Sequence, residues 1–91
     1  MSPAPSPDSV RSFAVVARPS VGLPSRIAEQ FARRDLLPER FLARVESGSL
    51  TVEVECAGLA DDVAAHIRDV LETFVGVERA VLATRERAQA A

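Results

Sequence analysis

Apolar and polar residues recur with two different periods along this chain, and the changes of period mark out six elements. In Ser12–Arg18 both faces are apolar: Phe13, Val15 and Ala17 share one, Ala14 and Val16 the other. A short run of this kind, stopped by Pro19, predicts a strand inside a sheet. From Leu23 the period lengthens. Leu23, Ile27 and Phe31 recur every four residues with Ala28 beside them, and Arg33 and Arg34 close the pattern, which predicts a helix over Leu23–Arg34. Pro24 sits in its first turn, where a missing N–H costs little.

After Asp35–Pro38 the alternation returns. Arg40–Glu46 sets Phe41, Ala43 and Val45 against Arg40, Leu42, Arg44 and Glu46, and a face this charged predicts an edge strand. Ser47-Gly48-Ser49 reads as a tight hairpin turn. In Leu50–Cys56 the residues Leu50, Val52, Val54 and Cys56 point inward and Thr51, Glu53 and Glu55 outward, so the sheet is covered on one side only. Val63, Ile67, Val70, Leu71 and Phe74 form the stripe of a second helix over Ala60–Phe74. Asp61 and Asp62 suit the positive end of its dipole, and Gly76 suits a left-handed cap beyond its other end. Val77–Ala83 reads as the last strand.

The order β-α-β-β-α-β with one wet sheet face predicts an α+β fold, the ferredoxin-like two-layer sandwich. It has an antiparallel four-stranded sheet with two helices on one face, and right-handed split βαβ units give strand order 4-1-3-2. Residues 1–11 read as a flexible N-terminal arm, 12–83 as the domain and 84–91 as a polar C-terminal tail.

Composition narrows the function classes. A net charge of −2 gives no electrostatic reason to expect nucleic acid or an anionic membrane. The single cysteine excludes an internal disulfide and a cysteine-based metal cluster. No apolar run approaches the ~18 residues of a membrane span and no signal peptide is evident, so a soluble cytoplasmic protein is expected. His66 shares a polar helix face with Asp62, Asp69 and Thr73 and reads as a surface histidine. Cys56 reads as a small buried apolar group, and Glu53 and Glu55 as solvated carboxylates. RNA-recognition domains share this element order but stack bases on aromatics of the central strands. Here Thr51, Glu53 and Glu55 hold the outward positions, and the chain has no Tyr or Trp, so nucleic-acid binding is rejected. No catalytic residue, metal site or cofactor is expected. Gly22, between the first strand and first helix, allows close approach of a ligand to backbone, or merely makes the turn; spacing alone leaves both open.

The run Val21-Gly22-Leu23-Pro24-Ser25-Arg26-Ile27, followed by Phe31-Ala32-Arg33-Arg34-Asp35, resembles the ACT domain. That regulatory module carries Pro-Gly-x-Leu-x-x-Ile after its first strand, and its first helix ends in Phe-x-x-Arg-Gly. Leu50–Cys56 together with Val70–Val81 resembles the second half of the small subunit of acetohydroxyacid (acetolactate) synthase, whose isozyme II type is little more than one such domain. The resemblance implies a non-catalytic regulatory or activating subunit in branched-chain amino-acid biosynthesis. It implies a homodimer joined through sheet edges, with Phe41, Leu42 and Val45 at the interface, docking onto a thiamine-diphosphate-dependent catalytic large subunit. It also implies an amino-acid ligand near Val21, Gly22, Leu23 and Leu37. Pro19 and Leu37 stand where valine-sensing members carry asparagines, so weak or absent valine feedback is expected. Asp35 replaces the family's glycine, which predicts a different turn. A stand-alone ACT-like sensor acting as a homodimer is the alternative.

Overall fold

Inward positions of three strands and the stripes of two helices meet in one core in the computed structural model, which describes residues 9–86. The elements are β1 (Ser9–Ala17), α1 (Leu23–Ala32), β2 (Arg40–Glu46), β3 (Ser49–Ala57), α2 (Asp61–Glu72) and β4 (Val77–Glu86). All neighbouring strands are antiparallel and the order is β2-β3-β1-β4, the predicted order read from the other edge. This is the ferredoxin-like sandwich that the alternation pointed to.

Phe13, Val15 and Ala17 of β1 and Leu50, Val52, Val54 and Cys56 of β3 are buried against Leu23, Ile27 and Phe31 of α1 and Ala64, Ile67 and Leu71 of α2. The rings of Phe13 and Phe31 meet edge to face, with centroids 5.2 Å apart and planes at 77°, and so fix α1 on the central strand. No residue of β2 enters this core. Phe41 and Val45 lie on the helix side of the sheet, because they pair with inward Val54 and Leu50, yet they remain 38% and 62% exposed. The helix layer leaves that edge bare.

The sheet is longer than predicted. β1 starts at Ser9 and β4 runs to Glu86, because Ser9 pairs with Glu86 and Val10 with Ala57. Residues 9–11 and 84–86 therefore belong to the sheet, and the rest of the expected arm and tail lies outside the described residues. At the end of α1 the expected change of turn is not found. Asp35 adopts the left-handed conformation (φ +57°) that a glycine takes beyond a helix, and aspartate is among the residues that tolerate it. Ser47 and Gly48 are both left-handed, so the hairpin is a two-residue type I′ turn that sets Glu46 opposite Ser49. Among the described residues no helix is long and apolar enough to cross a membrane.

Candidate functional site

The strand-to-helix turn is held at both ends by backbone. The N–H of Arg18 donates to the Gly76 carbonyl at 2.9 Å, which ties the exit of β1 to the turn before β4. The N–H of Arg26 donates to the Gly22 carbonyl at 3.2 Å and opens α1. Pro19 to Gly22 span the gap, exposed. Beneath them lies an open cavity of about 410 Å³, lined by Pro19, Val21 and Pro24 on one side and by Ala43, Arg44 and Val45 of β2 on the other. It is largely apolar, and its one charged group, Arg44, approaches Glu46 at 3.9 Å.

The sequence-predicted ligand residues divide three ways. Val21 lines the cavity and Gly22 adjoins it. Gly22 has φ −85°, and a Cβ built on it meets nothing within 4 Å, so the chain itself does not demand glycine there. Leu23 points into the core instead, buried against the sheet. Leu37 is 88% exposed in the connection before Arg40, which pairs with Glu55, whereas Val45 beside Val21 pairs with Leu50. Leu37 and Val21 therefore sit at opposite ends of the sheet, and one chain does not bring them together. Of the interface residues, Phe41 and Val45 face the helix side and half-buried Leu42 the open side.

Arg11 was placed in the arm, yet it occupies an inward position two residues before Phe13. Its side chain is only 12% exposed. It donates to the Leu59 carbonyl at 3.0 Å, to Thr84 Oγ1 at 2.9 Å and to the Asp61 carboxylate, joining β1, β4 and the start of α2. The 11-13-15-17 alternation carried this signal; a charged residue at its head concealed it. On the open face Glu55 is not merely solvated, for it accepts from Arg85 at 3.2 Å. That ion pair crosses β1, since Val10 lies opposite Arg85 and Ser12 opposite Glu55. His66 is exposed on α2.

Cys56 is buried, and burial pushes its thiol up from the ordinary value, with the Glu39 carboxylate adding to the effect. The native state therefore holds the neutral thiol, whereas the unfolded chain ionises it near ~8.5. This contribution to stability is complete below that value and is lost as pH rises through the higher native one. Two outcomes are expected: slow alkylation of the folded protein at about pH 8, and a loss of stability above about pH 9 that Cys56→Ala removes. Alkylation time courses and denaturant midpoints against pH measure both.

No family model matches this chain, and no curated protein matches it. Solved structures do. The ACT domain of a GTP pyrophosphokinase from Chlorobium tepidum superimposes with a TM-score of 0.70 at 15% identity, over 81% of this chain and 96% of that one. A solution structure of the same domain gives 0.70 at 14% identity, over 84% and 88%. The C-terminal domain of the MgtC protein from Mycobacterium tuberculosis gives 0.71 at 16% identity, over 93% and 96%. At these identities the likeness is one of fold, and the fold is that of the ACT domain.

Proposed function

We propose that this chain is a non-catalytic regulatory or activating small subunit of acetohydroxyacid (acetolactate) synthase, working as a homodimer that docks onto the thiamine-diphosphate-dependent large subunit. The observation that carries this reading is the bare edge strand β2, whose helix-side residues Phe41, Ala43 and Val45 are exposed, the last two bordering the cavity beneath Val21. An unpaired edge with apolar residues is a template for another strand. A two-fold antiparallel joint through β2 sets the start of the strand in one copy against its end in the other. Leu37 of each copy then approaches the Val21 end of its neighbour, so Val21, Gly22 and Leu37 converge only in the dimer. The cavity carries a guanidinium but no carboxylate in its lining. An amino acid's ammonium entering it is left without a charged partner, at ~1–3 kcal/mol if desolvated, which supports weak or absent valine feedback.

The test is to mix the chain with a large subunit from its own cell. Co-elution and a rise in synthase activity are expected; separate elution with unchanged activity overturns the reading. The cavity itself favours a second reading, a stand-alone sensor acting as a homodimer, and a thermal shift with an amino acid but no activation of the synthase favours it over the first.

A further inference from the structure

We propose that the cleft between the end of α1 and the start of α2 binds a small aliphatic carboxylate, at a site separate from the strand-to-helix turn. The cleft holds about 640 Å³ and is larger than the cavity at the turn. Leu36, Leu59 and Val63 give it apolar walls, and Arg34, Asp62 and His66 are its polar side chains.

The guanidinium of Arg34 decides the ligand's head group. Arg34 is half-buried and held by one terminal nitrogen, which donates to the Gln30 carbonyl at 2.6 Å and lies 3.4 Å from Gln30 Oε1. Both partners are neutral, and among the described residues no carboxylate forms an ion pair with Arg34. The other edge of its guanidinium fork, Nε and the second terminal nitrogen, suits a bidentate carboxylate. Asp62, on the α2 side of the cleft, forms no ion pair with Arg34. One oxygen of its carboxylate accepts the Val63 N–H at 3.0 Å, which ties it to the first turn of α2.

Arg34 and Leu36 are placed by the turn after α1. The N–H groups of both donate to the Phe31 carbonyl, at 3.1 and 3.0 Å, with left-handed Asp35 between them. The head group and part of the apolar wall are therefore fixed by one tight turn rather than by flexible side chains alone. A branched aliphatic chain covers Leu36, Leu59 and Val63 while its carboxylate meets Arg34, with His66 at the rim as a further hydrogen-bonding group. The inference stands without the partner enzyme and concerns a different end of the sheet from Val21.

Titrating the nitrogen-15-labelled chain with isovalerate, followed by amide spectra, tests it. Saturable shifts are expected at residues 58–63 and 34–36. Isovaleramide, of the same shape without the charge, should bind at least about tenfold more weakly, and Arg34→Gln should weaken isovalerate by about ten- to a hundredfold. Val63→Asp leaves Arg34 in place and adds a negative charge to the wall, and it should abolish binding in a chain whose spectrum is still that of the folded protein. Equal binding of amide and carboxylate, shifts gathered at residues 19–22, unchanged affinity in either variant, or no saturable shift each overturns the proposal.

Discussion

Arg11→Ala is expected to cost about 2–4 kcal/mol, a large fraction of what holds a domain of this size together. The Arg11 guanidinium makes hydrogen bonds to three residues in two other segments, and charge-assisted bonds of this kind contribute ~1.5–3 kcal/mol where they are shielded. The aliphatic stem on the inward face adds packing that alanine removes. Two companion variants separate these contributions. Arg11→Met keeps most of the stem and should cost about 1–2 kcal/mol, because a well-filled apolar replacement offsets much of a lost buried charge. Asp61→Asn should cost no more than about 1 kcal/mol, since the Asp61 side chain is 94% exposed and water screens the pair. Urea denaturation of the three variants measures the order. Should Arg11→Ala fall within about half a kcal/mol of the parent, the clamp contributes nothing and α2 is held by its apolar stripe alone.

The place of Arg11 in the sheet is not carried by a one-dimensional pattern. In β3 each inward residue is apolar and each outward one polar, so Leu50 to Cys56 announce both the strand and its buried face. In β1 the inward row begins with a serine and an arginine, and the alternation becomes recognisable only at Phe13. The side chain is tolerated there because carbonyl, hydroxyl and carboxylate partners converge on it from β4 and the segment leading into α2. Those partners lie 48 to 73 residues away in sequence, which no local pattern reveals. Leu37 fails for the complementary reason. Its match to a family position was legible, but which end of the sheet it occupies follows only from the register of β2 on β3. The fold was legible because periodicity, turn residues and helix ends agreed on one topology. Val21 was legible as a turn residue beside a strand end. The cleft at Arg34 was not, since it joins the end of one helix to the start of another.

Arg40→Glu is expected to weaken the proposed homodimer by about thirtyfold or more, and adding Glu46→Arg to restore it. The register that β2 permits against its own copy sets which charges meet. Centred on Ala43, an antiparallel joint places Arg40 opposite Glu46 and Phe41 opposite Val45, each twice, with Leu42 opposite Arg44. A slip of two residues in one direction sets Arg40 against Arg44, and in the other sets Arg44 against itself. A slip of one turns the helix layers to opposite faces, because side chains alternate along the strand. The other edge, β4, has no such complementarity. Centred on Leu82 it opposes Arg79 to Arg85 and Glu78 to Glu86, and centred on Val81 it pairs no opposite charges. Exposed cross-strand pairs contribute ~0.5–1 kcal/mol each, and reversing two attractive pairs into two repulsive ones roughly doubles the change, to about 2–4 kcal/mol. Leu42→Lys should act in the same direction, by facing the partner's Arg44. Ala43→Cys tests the register itself. With each residue 43 opposite its copy, mild oxidation should link the chains, while buried Cys56 leaves the parent unlinked. Light scattering reads the dimer and non-reducing electrophoresis the link. A dimer that fails to link through residue 43 rejects this register alone; a parent chain that is monomeric at every concentration rejects edge pairing altogether.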